Sequence, residues 1–272
     1  MVNSYRPTSL QEALNILAKE AVTPYSGGTD LMINPDVNAT YLFLAKVPEM
    51  NQIVADTEHI RIGAACTFTD IIENELVPSI LKEAALQIAA PAIRNLGTVG
   101  GNICNGSPKG DSALILFAID AKLRLVSSRG ERVLPITAFY LGRKKTALQA
   151  DELLVEILMD RKGLNNYYYK KVGARDALAI SRVSFAAILN VTDRKILNCI
   201  TAFGAVSDVI IRRAEIDAML IGKTIEEAKA AKEEYFAAYD QKIVPIKGRI
   251  SAEYRKAVCM NLLRDFLKSN GI

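Results

Sequence analysis

The chain has 272 residues, half of them apolar and 24% charged, which excludes a disordered or fibrous protein and leaves room for two domains or three small lobes. A formal net charge of +4, with basic residues dispersed and no run longer than Arg143-Lys144-Lys145, with Lys170-Lys171 another tight cluster, argues against a nucleic-acid partner. The longest apolar run, residues 113–119, is far short of a membrane span and Met1-Val2-Asn3-Ser4 lacks the regions of a signal peptide, so the expectation is a cytoplasmic chain with no membrane partner.

In chain order, Ser9-Leu10-Gln11-Glu12 reads as a capping box ahead of Leu10, Ala13, Leu14 and Leu17 at helical spacing, so an amphipathic helix opens the fold. A strand leads into Ser26-Gly27-Gly28-Thr29-Asp30, and further strands are expected over 41–47 and 60–64, with a lobe boundary near residue 56. Beyond it Thr69 is placed to cap a helix through Ile71 and Ile72, and a longer helix spans 79–90 until Pro91 interrupts it. After Thr98-Val99-Gly100-Gly101-Asn102, residues 111–121 read as a helix that packs Leu114, Ile115, Phe117 and Ala118, and 122–127 with 132–136 read as a hairpin around Ser128-Arg129-Gly130.

Gly163-Leu164-Asn165-Asn166 has the composition of a linker, which draws a boundary between residues 1–165 and 166–272. In the last part, 184–192 and 197–206 form an expected antiparallel hairpin around Asp193-Arg194-Lys195. Two helices follow, one opened by the capping box Thr224-Ile225-Glu226-Glu227, the other starting at Ser251 with Tyr254, Val258, Leu262 and Phe266 along one stripe.

Cys66, Cys104, Cys199 and Cys259 never approach a CxxC spacing, and His59 is the only histidine. No metal or iron-sulfur motif is therefore expected in this chain, and a Ser-His-Asp site would depend on a histidine that reads as a turn residue. If the protein does chemistry, an organic cofactor performs it.

The two double-glycine stretches carry the functional signal. Paired glycines let a ligand approach the main chain and permit the positive φ angles that turn successive N–H groups towards one anion. A tight turn that merely relieves strain explains either stretch by itself; two of them beside hydroxyl side chains could hold a diphosphate between them. The polar, glycine-studded run from Ala92 to Asp111 between two apolar helices is also unlike ordinary core sequence.

At these residues the chain resembles a known family, the FAD-binding medium subunits of molybdenum hydroxylases of the xanthine dehydrogenase and carbon monoxide dehydrogenase flavoprotein type. The similarity covers essentially the whole length, through SGGTDL, IRNLGTVGGNICNGSPKGDS, KVGARDALAISRVS and GRISAEYRKAV. It implies an α+β fold: a two-lobed FAD-binding domain of the p-cresol methylhydroxylase type over 1–165 (lobes 1–56 and 57–165), followed by a flavoprotein C-terminal α+β domain over 166–272.

Carried over by position, the resemblance implies one pyrophosphate loop at Pro24, Tyr25, Ser26, Gly27, Gly28, Thr29, Asp30 and Leu31 and a second at Thr98, Val99, Gly100, Gly101 and Asn102. The N–H groups of Gly27, Gly28, Gly100 and Gly101 and the hydroxyls of Thr29 and Thr98 would donate to the diphosphate. It further implies that Asp111 binds the nucleotide half of FAD, although a helix N-cap explains an acid there too. Ile88 and Leu154 correspond to apolar residues against the isoalloxazine ring, where plain core packing is an equal reading. Lys171 corresponds to a basic residue near the flavin, with a solvated basic face as the alternative. No residue is assigned a catalytic role.

The activity implied is electron relay. A molybdopterin-binding large subunit hydroxylates a heterocycle, a small [2Fe-2S] subunit passes the electrons on, and the FAD of this chain delivers them to NAD or another acceptor. Two departures from the family stand out: the chain lacks the cysteine-rich insertion of the aromatic acyl-CoA reductases, and Ser207 to Arg212 lacks a proline common before the arginine. Two other readings stay open, a stand-alone FAD-dependent reductase of the same fold, for which no substrate acid stands out, and a non-catalytic nucleotide-binding assembly module.

Overall fold

The computed structural model describes residues 4–161, 163–175, 178–246, 248 and 250–272. They divide into two compact units, Met1–Gly106 with Asp120–Arg161, and Ser107–Ile119 with Lys162–Ile272.

In the first unit, β1 (Ser4–Tyr5) precedes α1 (Leu10–Lys19), whose N-cap Ser9 accepts from the Glu12 N–H while Ala13, Leu14 and Leu17 face the core. The return half of the expected capping box is displaced by one residue, because Glu12 Oε2 takes the Thr8 N–H and hydroxyl at 2.8 and 3.1 Å. Strands β2 (Thr23–Tyr25) and β3 (Tyr41–Phe43) join β1 in a parallel sheet of order β1-β3-β2. The third strand stops at Phe43, short of residue 47, where Leu44 and Val47 enter a turn that Pro48 continues as one turn of 3-10 helix.

Strands β4 (Ile53–Ala55) and β5 (His59–Gly63) begin an antiparallel sheet, and four short helices follow: α2 (Phe68–Glu73), α3 (Ser79–Leu86), α4 (Pro91–Arg94) and α5 (Val99–Cys104). Two expectations change here. Thr67, not Thr69, caps α2, since Thr67 forms a full capping box with Asp70 whereas Thr69 lies inside the helix. Helix α3 ends at Leu86, and Pro91 opens α4 at its first position instead of closing α3, because its missing N–H is unneeded there.

The chain then leaves this unit for α6 (Asp111–Ala118) and returns as the hairpin of β6 (Lys122–Ser127) and β7 (Gly130–Pro135). Helix α7 (Ile136–Phe139), the small hairpin β8 (Tyr140–Gly142) and β9 (Lys145–Thr146), and β10 (Leu153–Asp160) complete it. The five-stranded sheet has the order β4-β5-β10-β6-β7. Arg132 on β7 and Glu152 beside β10 form a bidentate pair at 2.7 and 2.8 Å, and Glu152 Oε2 also accepts the Gln149 N–H at 2.9 Å.

In the second unit every residue of α6 is buried, and the helix packs against strands β12 and β13 of a four-stranded antiparallel sheet. That sheet is β11 (Tyr167–Val172), β12 (Val183–Thr192), β13 (Lys195–Gly204) and β14 (Ile211–Arg212) in sequential order. Asp193 and Arg194 turn the central hairpin at φ 50 and 64, the double positive φ that matches strand twist, and β13 starts two residues earlier than expected. No strand was expected over β11. Its far side carries α8 (Ala214–Asp217), α9 (Ile225–Lys242) and α10 (Ala252–Ser269) around Phe185, Phe203, Tyr235, Tyr239 and Phe266.

The fully buried stripe of α10 is Arg255, Cys259, Leu263, Phe266 and Leu267; of the expected stripe Phe266 is buried, Val258 and Leu262 pack half-buried against the same core, and Tyr254 is 47% exposed. Arg255 is drawn inward because its Nη1 donates to the carbonyls of Arg182 and Ala205. A second polar cluster sits in the same core. The Asp217 carboxylate accepts from Thr201 N–H, Thr201 Oγ1, Tyr235 and Tyr239 at 3.0, 2.7, 3.0 and 2.7 Å, satisfying a charge that burial would otherwise make costly.

Candidate functional site

The first glycine loop emerges from β2 and ends in the 3-10 turn Leu31–Ile33. Its glycines are dictated by close packing as well as by access. A Cβ on Gly27 would stand 1.8 Å from the Leu96 carbonyl oxygen, and Gly28, at φ +69, has the Tyr25 hydroxyl where its Cβ would be, 2.0 Å away. The second loop packs equally hard: a Cβ on Gly100 would meet the Ala64 carbonyl at 2.5 Å.

The structure brings the two loops together. Thr98 caps α5 by accepting the Gly101 N–H at 3.1 Å, and its hydroxyl donates to Ser26 Oγ at 2.9 Å. That direction of donation leaves the Ser26 hydroxyl hydrogen without an acceptor among the described residues. The main-chain N–H groups of Gly27, Gly28 and Thr29 likewise have no acceptor among the described residues. One partly exposed loop thus carries four donors in sequence that no described residue satisfies, the kind of donor set an oxyanion requires.

In the second loop the main-chain donors already have partners within the protein. The N–H groups of Val99, Gly100 and Asn102 are taken by the carbonyls of Cys66, Ala64 and Thr98, and that of Gly101 by Thr98 Oγ1. The Gly100 and Gly101 N–H groups and the Thr98 hydroxyl are thus engaged within the protein, and the donors that remain lie on the first loop. This second loop is an abutment: it seats Ser26 through Thr98 and presents the exposed, side-chain-free Gly101.

Around these loops, Asp30 faces outward to Lys144 Nζ at 3.6 Å, which counters a carboxylate that would repel phosphate. Lys144 also donates to Asn105, and its N–H to the Gly106 carbonyl, so the β8–β9 hairpin is pinned beside both loops; the sequence gives no local sign of that pairing. Ile88 is half-buried on the turn after α3, and Leu154 is buried in β10, immediately before a bulge whose Val155 carbonyl accepts the Ala64 N–H. Pro24 is exposed on β2.

Asp111 and Lys171 lie in the second unit and bond to each other. Lys171 Nζ is 2.8 Å from Asp111 Oδ2, with side chains only 9% and 6% exposed, and Ser181 Oγ donates to Asp111 Oδ1 at 2.6 Å. Both plainer readings fail. Gly110, not Asp111, is the N-cap of α6, and Lys171 is not on a solvated face. Burial raises the Asp111 carboxyl pKa, while the Lys171 charge and the hydrogen bonds from Lys171 and Ser181 oppose it. Ser181 was not singled out from sequence, because nothing local distinguishes it from other serines.

The cysteines are unsuited to redox exchange. Cys66, Cys104, Cys199 and Cys259 are all free thiols, and burial pushes Cys66 up to about 11 and Cys104 up to about 12. Among the described residues no group of three or more His, Cys, Asp or Glu could hold a metal ion, and no helix is long and apolar enough to cross a membrane.

A donor-rich glycine loop buttressed by a second glycine loop fits a dinucleotide diphosphate, and comparisons with known proteins agree. Residues 1–159 match the family model described as the FAD binding domain in molybdopterin dehydrogenase, and 167–270 that of the CO dehydrogenase flavoprotein C-terminal domain. The chain belongs to this family of FAD-binding oxidoreductase subunits, the medium subunits of molybdenum hydroxylases. It is 34% identical over 220 residues to the xanthine dehydrogenase FAD-binding subunit of Escherichia coli O157:H7, covering 76% of this chain and 75% of that one. It is also 34% identical over 206 residues to the nicotinate dehydrogenase FAD-subunit of Eubacterium barkeri, covering 70% and 69%. Among solved structures, a chain of the reconstituted CO dehydrogenase from Oligotropha carboxidovorans superimposes with a TM-score of 0.88 at 25% identity, over 97% of this chain and 96% of that one. The two-part α+β architecture is the one the resemblance implied.

Proposed function

We propose that this chain is the electron-relay subunit of a multi-subunit molybdenum hydroxylase acting on a purine or related nitrogen heterocycle. The FAD it would hold would serve to carry electrons from [2Fe-2S] clusters on a small subunit, fed by a molybdopterin-binding large subunit, to NAD or another acceptor. The single observation that carries the reading is the Thr98–Ser26 bridge, which joins two glycine loops remote in sequence beside four donors that no described residue satisfies.

When bound, the flavin supplies the exchange between one-electron and hydride chemistry that such a relay requires. The chain's own residues hold and orient it. Ser26 Oγ and the N–H groups of Gly27, Gly28 and Thr29 bind the diphosphate, Thr98 fixes the Ser26 hydroxyl, and Lys144 holds Asp30 away from the phosphates. Pro24, Tyr25, Leu31, Val99, Gly100, Gly101 and Asn102 shape the two loops. Ile88 and Leu154 present apolar surface to the ring. Asp111, fixed by Lys171 and Ser181, and Lys171 itself are the polar contacts that the resemblance assigns to the flavin. A stable buried ion pair suits that task, since its charges cannot swing away into water.

Purification of the native complex tests this reading. Copurification with molybdopterin and [2Fe-2S] polypeptides and a stoichiometric FAD is the expected outcome. A chain isolated alone, with no flavin and no affinity for added FAD, would overturn it.

A further inference from the structure

The turn between α3 and α4 is held by an arginine. Ala89 stands at φ 44, in the left-handed region that strains a residue with a Cβ. Arg94, on the last turn of α4, directs Nη1 at three carbonyls of this turn: Leu86 at 3.2 Å, Ile88 at 2.9 Å and Ala89 at 2.8 Å. These are carbonyls at the open end of α3, where a cation complements the partial negative charge. Arg94 has no carboxylate partner among the described residues. Its charge is therefore spent on main-chain shape.

The same arginine sits at the foot of the second glycine loop. The Gly97 N–H donates to the Ile93 carbonyl at 2.7 Å, and the Leu96 carbonyl is the atom that forbids a side chain on Gly27. Arg94 thereby ties the Ile88 turn to the segment abutting both loops.

We propose that Arg94 is a positioning residue that holds Ile88 against the isoalloxazine ring by clamping the carbonyls of residues 86, 88 and 89, without itself touching the dinucleotide. This rests on the reading of the glycine loops and Ile88 as FAD contacts. A lysine cannot replace it, because a single flexible ammonium does not present the rigid planar fork that fixes the guanidinium among the three carbonyls.

The test compares dissociation constants of the full chain for FAD and for ADP, which shares the diphosphate but lacks the ring, together with the visible circular dichroism of bound flavin. Arg94→Ala weakens FAD by about tenfold and alters the flavin spectrum, while ADP binding stays within about twofold. Adding Ala89→Gly to Arg94→Ala recovers part of the loss, since glycine adopts positive φ without strain. Should Arg94→Ala not fold, Arg94→Lys is read the same way. Equal weakening of FAD and ADP, or no change in either FAD affinity or spectrum, overturns the proposal. Ile88→Ala separates it from the reading beneath it. If that variant weakens FAD and Arg94→Ala does not, the positioning role alone falls. If Ile88→Ala leaves FAD affinity and spectrum unchanged, the placement of Ile88 falls and the proposal with it. Wild-type chain that binds neither FAD nor ADP overturns the assignment of the loops.

Discussion

At the scale of single residues, the site turns on which way hydroxyl hydrogens point. Thr98 gives its hydrogen to Ser26, and Ser26 keeps its own for a ligand. Ser26→Ala should weaken FAD binding about tenfold, as expected for losing one hydrogen bond to a charged oxygen, with only a modest fall in the thermal midpoint of the apo chain because the buried Thr98 hydroxyl loses its acceptor. A fluorescence titration together with a melting curve checks both halves. Gly100→Ala should do the reverse, destabilising the apo chain whether or not FAD is present, because its Cβ would strike the Ala64 carbonyl. An unshifted apo midpoint in Gly100→Ala would show that the loop can give way. The double glycines were legible in the sequence, but not that a Cβ on Gly100 would strike the Ala64 carbonyl.

Among secondary elements, the electrostatic tie between β7 and β10 links the sheet to pH. Arg132 grips Glu152 bidentately, and this hydrogen bond, with that from the Gln149 N–H, holds the Glu152 carboxyl below its ordinary value of 4.5. A depressed folded pKa means the pair contributes its full stability above about pH 4.5 and loses it as pH falls through the lower folded value. Glu152→Gln should lower the urea midpoint at neutral pH and flatten its decline on acidification. An acid limb as steep as in the wild type would assign that limb to other carboxylates. Helix ends were read within a residue or two where a capping side chain marks them, as at Ser9, Thr224 and Ser251. They were misread where contacts distant in sequence enter, as at α3, beyond whose end Arg94 of another helix bonds the Ile88 carbonyl, and on α10, whose core-facing stripe also takes in the buried Arg255.

For the molecule as a whole, the sequence places the domain boundary at residue 165, whereas helix α6 groups with the second unit. All eight of its residues are buried, including Asp111 and Ser112. A fragment of residues 1–165 carries that helix without β12 and β13 and should therefore aggregate or bind a hydrophobic dye far more strongly than the full chain. Dye binding equal to the full chain would show that α6 finds cover elsewhere. The sequence by itself determined the class of ligand and the order of the elements, because glycine freedom, helix caps and apolar periodicity are local properties that short segments carry alone. Only the tertiary structure decided which donors stay available, which acid pairs with which base, and to which unit α6 belongs. Each of these depends on groups far apart in the chain competing for the same hydrogen bond or the same buried surface, and no local pattern records the outcome of that competition.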